Sequence, residues 1–269
     1  MINRKIIKLR KEEFSIREIC KKLKTTYGTT QRVCSNIEMS KKGLERYSKL
    51  SGLTKNILFE NALSEAKVRI IGNLLFDGAV YNHYYHYSVM YVNSSKDLIK
   101  EFIQDMKKVY NVEPSSFEDV GNYQRVKYLS KVIYEDLMQY SKSYSTSDKN
   151  CSIPNQILSG KNVFKIIMLR TFWENEGSIS NDGRLSADSK SLKAIKQLSR
   201  LHDKFGLKHN ICKYSDNGFM YKLYLMKTKE NYEQFLKLRL FSKANVTQGY
   251  NVGKKKIDVL KDYFNKRFI

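Results

Sequence analysis

The chain has 269 residues, 41% of them hydrophobic, and carries 49 Lys and Arg against 27 Asp and Glu, a net charge of +22. That length suits one or two domains with a real core, and the composition excludes an acidic solvating chain or a low-complexity fibre. An excess of this size exceeds what solubility needs and points to a polyanion, most simply nucleic acid; a lysine-rich surface with no such partner is the plain alternative.

Residues 1–50 hold 14 Lys and Arg against 5 acids, a balance of +9 that leaves +13 for the rest. Within them, FSIREICKKLKTTYGTTQRVCSNI reads as two helices joined by a turn. Ser15 caps a first helix that buries Ile16, Ile19, Cys20 and Leu23. Lys24 to Tyr27 form the turn, without the usual turn glycine, and a second helix over 28–37 buries Thr30 and Val33. Tyr27, Thr29, Gln31 and Arg32 then face outward, residue types that contact phosphates and base edges. Residues 1–50 are expected to be a small all-α helix-turn-helix DNA-binding domain; a basic hairpin that only packs on the main domain has the same pattern. Further helix from Lys41 leads into a helical connector over 51–63.

SEAKVRIIGNLLFDG, from Ser64 to Gly78, predicts a helix capped by Ser64, with Glu65 in its first turn. The apolar residues from Val68 to Phe76 spread too widely for a one-sided surface helix, so burial on most sides is expected. Gly72, mid-helix, costs about 1 kcal/mol relative to Ala, which makes sense where a second backbone approaches closely. Asp77 closes the helix at the negative end of its dipole, and an acid held there points to a cation. Residues 79–93 predict a β-hairpin rich in Val and Tyr. An amphipathic helix over 96–109 turns Leu98, Phe102, Ile103 and Met106 inward. A strand pair follows at 114–129, then a helix at 131–140. Residues 64–142 form a first repeat, and the polar stretch 143–158 is a linker.

A second copy opens after Ser159–Gly160 with KNVFKIIMLRTFWENEG. Aligning IIGNLLFDG with LRTFWENEG sets Asp77 against Glu176, 99 residues on, and Gly72 against Thr171. Short strands at 178–180 and 184–188 turn at Asn181–Asp182–Gly183. A helix over 191–205 ends before Gly206, strands at 208–214 and 219–226 flank Asp216–Asn217–Gly218, and a helix over 229–238 closes a repeat spanning 159–245. A basic C-terminal helix is expected within 246–269. Both halves run helix, two strands, helix, two strands, helix, which supports a duplication independently of the motifs.

The cysteines, Cys20, Cys34, Cys151 and Cys212, form no C-x-x-C pair and only four histidines exist. A zinc site is not expected, and the cysteines read as small, reduced core residues. Without an 18-residue apolar run or a signal-peptide pattern, the expectation is a cytoplasmic protein.

The paired motifs resemble the LAGLIDADG family of homing endonucleases, RNA maturases and some regulators, over about residues 64–245. The resemblance implies an α+β fold: two pseudo-symmetric αββαββα repeats forming a saddle-shaped sheet, with the motif helices side by side and both acids at one spot. Adjacent carboxylates stay ionised only if cations bind between them, and Mg²⁺ or Mn²⁺ suits such oxygen ligands. The implied activity is metal-dependent cleavage of double-stranded DNA by a free-standing monomer, with Asp77 and Glu176 as catalytic metal ligands. Asn93 and Asp188, matched by position after the second strand, are expected to hold metal-bound water. Lys127 and Lys222, on the final strands, are expected at the phosphate, with solvated surface lysine as the alternative. Glu174, whose counterpart is Leu75, ranks second to Glu176. Asn82, Tyr84, His86, Arg125 and Arg184 are expected to meet DNA; Tyr81, His83, Tyr85 and Tyr87 form the other hairpin face, and the sequence leaves open which face is buried. A non-cutting DNA-binding regulator and an RNA maturase are the competing readings.

Overall fold

The capping chemistry at Ser15 sets the first unit. Its hydroxyl accepts from Glu18 N while the Glu18 carboxylate accepts from Ser15 N, a reciprocal capping box. In the computed structural model, which describes residues 2–12, 14–35, 37, 62–83, 86–214 and 220–269, this cap starts the second of three short helices: α1 (Ile2–Lys11), α2 (Ile16–Leu23) and α3 (Tyr27–Cys34). Lys24 stands in for the missing turn glycine by adopting the left-handed conformation, φ 52°. Thr26 then caps α3 by accepting from Thr29 N, so the helix starts one residue earlier than expected. Ile6, Ile19 and Cys34 form the small core, and α1, which the sequence reading missed, supplies Ile6. Tyr27, Thr29, Gln31 and Arg32 are all exposed and Thr30 is buried. The expected 51–63 connector lies almost wholly outside the described residues, as do Tyr84, Tyr85 and the Asp216–Asn217–Gly218 turn.

Contacts divide the chain into Met1–Ile57 and Leu58–Ile269. The second unit holds two halves of the same order. The first is α4 (Glu65–Asp77), β1 (Gly78–His83), β2 (His86–Asn93), α5 (Lys96–Tyr110), β3 (Ser116–Asp119), β4 (Gln124–Leu129) and α6 (Lys131–Met138). After a short helix α7 (Asn155–Ser159), the second is α8 (Asn162–Glu176), β5 (Gly177–Ile179), β6 (Leu185–Ser189), α9 (Leu192–Lys204), β7 (His209–Tyr214), β8 (Met220–Leu225) and α10 (Lys229–Lys237). A final helix α11 (Lys256–Phe268) follows an irregular stretch, so the basic C-terminal helix occupies only the latter part of 246–269. Each half carries a four-stranded antiparallel sheet, ordered β1-β2-β4-β3 and β5-β6-β8-β7. In the first, Val89, Tyr91, Val126 and Tyr128 are buried on the helix-covered face.

The motif helices α4 and α8 pack against each other, as the broad apolar pattern implied. From Ala66 to Phe76 nearly every residue of α4 is buried. The aligned small residues meet at the seam: a Cβ added to Gly72 would fall 2.1 Å from Thr171 Oγ1. Phe76 and Phe172 pack beside them as tilted rings with centroids 5.2 Å apart. The other end of α4 is held by a buried ion pair, Lys67 Nζ to Asp136 at 2.9 Å, with Tyr110 OH donating to the same carboxylate at 2.6 Å.

Not all cysteines are core residues. Cys34 and Cys151 are buried, whereas Cys212 is exposed on β7, opposite Lys222 on β8. All four are free thiols. Among the described residues no helix is long and apolar enough to cross a membrane.

Candidate functional site

Each motif helix runs straight into a strand. Asp77 is the last residue of α4 and Gly78 the first of β1; Glu176 and Gly177 repeat this between α8 and β5. Both glycines are there for space: a Cβ on Gly78 would fall 2.6 Å from Leu74 Cα, and one on Gly177 would fall 2.3 Å from the Trp173 carbonyl oxygen. Because α4 and α8 lie side by side, their C-terminal acids open into one cavity of about 370 Å³, lined also by Asn93, Glu174, Asn175, Asn245 and Lys256.

The electrostatics show two half-buried acids held close together. Burial pushes the Asp77 carboxyl up to about 6, opposed by the charge of Lys256 and by a hydrogen bond from Asn93. Burial and then the charges of Asp77 and Asp188 push Glu176 up to about 8, with Lys256 pulling the other way. Asn93 Nδ2 donates to Asp77 Oδ2 at 2.8 Å. Asn175, on α8 between the two glutamates, is the hub of the seam. It donates to Asn73 Oδ1 at 2.9 Å, and its own Oδ1 accepts from Tyr91 OH at 2.8 Å and Asn93 Nδ2 at 3.2 Å. The alignment gave no sign of this, since the counterpart of Asn175 is Phe76.

Glu174 has a different task. Its carboxylate accepts from Ser242 N, Ser242 Oγ, Lys243 N and Ala244 N, at 2.6 to 2.8 Å, which binds the segment after α10 onto α8. The same segment is fastened to the first half by Lys243 Nζ to Glu101 at 2.6 Å and by Ser95 Oγ to the Lys243 carbonyl at 3.0 Å. It leads to Lys256, the first residue of α11, whose amine donates to the Glu174 carbonyl at 3.2 Å. Burial lowers the Lys256 pKa while Glu174, Asp77 and Glu176 raise it.

The other expected residues separate by strand register. Gly78 pairs with Tyr91 and Gly177 with Ala187, so the structural counterpart of Asn93 is Ser189 and that of Asp188 is Val92. Matching Asn93 with Asp188 is therefore one residue out, and a one-residue slip changes faces. Likewise Val126 and Leu223 are equivalent, being paired with Tyr91 and Ala187. Lys222 then corresponds to Arg125, and Lys127 to Tyr224. Lys222 pairs with Asp188 across β6 and β8, Nζ to carboxylate 3.5 Å. Lys127 stands 6.0 Å from the Tyr81 ring centroid. The cavity wall contains Asp77, Asn93 and Glu176 but not Asp188, Lys127 or Lys222. Arg125 lies 3.1 Å from Glu118, and Arg184, in the β5–β6 turn, 3.6 Å from Asp182. Asn82 pairs in register with Tyr87, so these two residues share one face of the hairpin rather than lying on opposite faces.

Residues 164–239 match the family model of a LAGLIDADG-like domain. The solved structures extend the match to both halves. Mesophilic variants of the homing endonuclease I-DmoI superpose with a TM-score of 0.53 at 18% identity, over 66% of this chain and 97% of theirs. The fold is the two-repeat LAGLIDADG fold. I-DmoI in complex with DNA and Mn gives a TM-score of 0.52 at 17% identity over 66% of this chain and 97% of that one, and the complex with DNA and Ca gives 0.50 at 16% over 68% and 93%. No curated relative matches the chain in sequence. The LAGLIDADG fold accounts for the duplicated order, the paired helices and the meeting of the two acids.

Proposed function

We propose that this protein is a site-specific endonuclease of double-stranded DNA that uses Mg²⁺ or Mn²⁺ held by Asp77 and Glu176. The observation that carries the reading is the convergence of two carboxylates, both with raised pKa, in one cavity. A divalent cation relieves that repulsion. Among the described residues no cluster of three or more Asp, Glu, His or Cys side chains forms a ready-made metal cage. Two carboxylates fit an oxygen-preferring ion that keeps several waters and takes further oxygens from a phosphate. Such an ion would supply charge neutralisation at the scissile phosphate and acidify a water.

The chain's own residues prepare the site. Asn93 fixes the Asp77 carboxylate, Asn175 locks the two helix ends in register, and the segment bound by Glu174 walls off one side. Arg125, Lys127, Lys222 and the exposed face of α3, with Tyr27, Thr29, Gln31 and Arg32, are the proposed phosphate and base contacts. The net charge of +22 agrees with that reading. I-DmoI is a homing endonuclease whose structures include complexes with DNA and Mn or Ca.

One observation favours a second reading, a DNA-binding regulator that does not cut: the Lys256 ammonium already places a positive charge beside the acids. Incubation with a duplex library containing the flanking genomic sequence, in Mg²⁺ or Mn²⁺, separates the two. The nuclease reading expects cleavage that Asp77→Asn and Glu176→Gln abolish while binding persists. Tight, specific binding by the wild type with no cleavage in either metal would replace it with the regulator.

A further inference from the structure

Lys256 is an unusual neighbour for a metal site. It comes from neither repeat but from the start of α11, and only 7% of it is exposed. Its amine reaches the last turn of α8, where it donates to the Glu174 carbonyl at 3.2 Å and lies 5.5 Å from the centre of the Phe241 ring. A cation at that position complements the helix dipole, and Lys256 shares one cavity wall with Asp77, Glu174 and Glu176.

The route to Lys256 is braced on both halves. Glu174 holds Ser242 to Ala244. Lys243 is bound to Glu101, and Lys255 is bound to Asp97 and to the Lys243 carbonyl. Asn245 and Lys255 form a β-bridge that closes the loop between them. These contacts fix where the chain re-enters, so the ammonium is delivered to the cavity by rigid backbone rather than by a wandering surface side chain. In the first half, the segment after α6 brings Ser143 to Thr146 beside Gly78 and Ala79, with no lysine among them.

We propose that Lys256 is the resident counter-ion of the acid pair: its ammonium balances Asp77 and Glu176 in the metal-free protein and competes with the divalent cation for them. The proposal rests on the reading of these two acids as the metal ligands. Its consequence is that metal binding without DNA is weak, because two positive charges in one cavity of about 370 Å³ repel each other.

The test is a Mn²⁺ titration of the full chain without DNA, with free Mn²⁺ followed by electron paramagnetic resonance. Wild type is compared with Lys256→Met, Lys256→Gln, which keeps a donor for the Glu174 carbonyl, and Lys256→Arg. The proposal expects Mn²⁺ to bind about tenfold or more tightly to the Met and Gln variants, and Lys256→Arg to behave as wild type. A second measurement uses no metal. In EDTA, Lys256→Met should melt below wild type, and adding Glu176→Gln should restore much of the difference. Equal Mn²⁺ affinity in all four proteins, each folded by circular dichroism, would overturn the proposal and leave the metal reading standing. Mn²⁺ binding by none of them would overturn both, and rescue in EDTA would then mark the lysine as a structural charge partner only.

Discussion

Replacing Gly72 with alanine separates two opposite expectations by sign. In an ordinary exposed helix the change stabilises by about 1 kcal/mol, because alanine is the better helix former. Here the new Cβ would lie 2.1 Å from Thr171 Oγ1 and 2.8 Å from Thr171 Cβ, where normal contact begins near 3.4 Å. Thr171 must turn away and the helices must part, which loosens the Phe76–Phe172 contact and the Asn73–Asn175 hydrogen bond. Overpacking of this kind costs roughly 1–3 kcal/mol, so after the helix gain of about 1 kcal/mol the expected net loss is roughly 0–2 kcal/mol. Trp173, the chain's one tryptophan, is fully buried on α8 against His202, Phe235 and Phe241, so its fluorescence in a urea titration follows unfolding of the half that carries α8. The paired change Gly72→Ala with Thr171→Gly, which moves the small residue to the other helix, should recover most of the loss. A Gly72→Ala protein more stable than wild type by about 1 kcal/mol would refute the close-packed seam, and with it the reason the acids meet.

Glu174→Ala removes an acceptor of four hydrogen bonds to residues 242–244; it should cost roughly 3 kcal/mol or more and expose residues 246–255 to limited proteolysis, whereas unchanged cleavage there would count against the clasp. Asp77 and Glu176 both titrate above the normal carboxyl range, at about 6 and about 8. The metal-free fold thus holds more protons than the unfolded chain from about pH 4 to 8, and its stability falls as pH rises through that window. Glu176→Gln should flatten this dependence in thermal melts in EDTA; an unaltered difference between pH 5 and pH 8 would contradict the assignment. Arg32→Ala and Gln31→Ala, at exposed positions of α3, should weaken binding to a cognate duplex without lowering the melting temperature, with Arg32→Ala also reducing the salt dependence by about one ion.

The strongest sequence signals were those that repeat. Two apolar helices, each ending in an acid and a glycine, with Gly72 aligned on Thr171, were legible because duplication compares the chain with itself. The alternating strands of the first half followed from the same period-two pattern that the register displays. What escaped detection lacks a repeat or a period. Asn175 has a phenylalanine as its counterpart, and its partners Asn73, Tyr91 and Asn93 come from two elements of the other half, α4 and β2. Lys256 reaches the cavity from 80 residues beyond Glu176, through an irregular segment whose placement depends on the Glu174 carboxylate. Asn93 and Asp188 match by position after the second strand, and only the pairing of Gly78 with Tyr91 and of Gly177 with Ala187 reveals that this match is one residue out of register. In the first unit, the absent turn glycine was no obstacle because Lys24 accepts the left-handed conformation itself.

The central claim is that two halves deliver Asp77 and Glu176 to one cation pocket. Diffraction from Mn²⁺-soaked crystals at a wavelength sensitive to Mn tests it directly. The account predicts an anomalous peak between the two carboxylates, within roughly 2.0–2.4 Å of an oxygen of each, and its loss in Asp77→Asn crystals. A map with Mn²⁺ bound elsewhere on the protein and no density between these two side chains would contradict it.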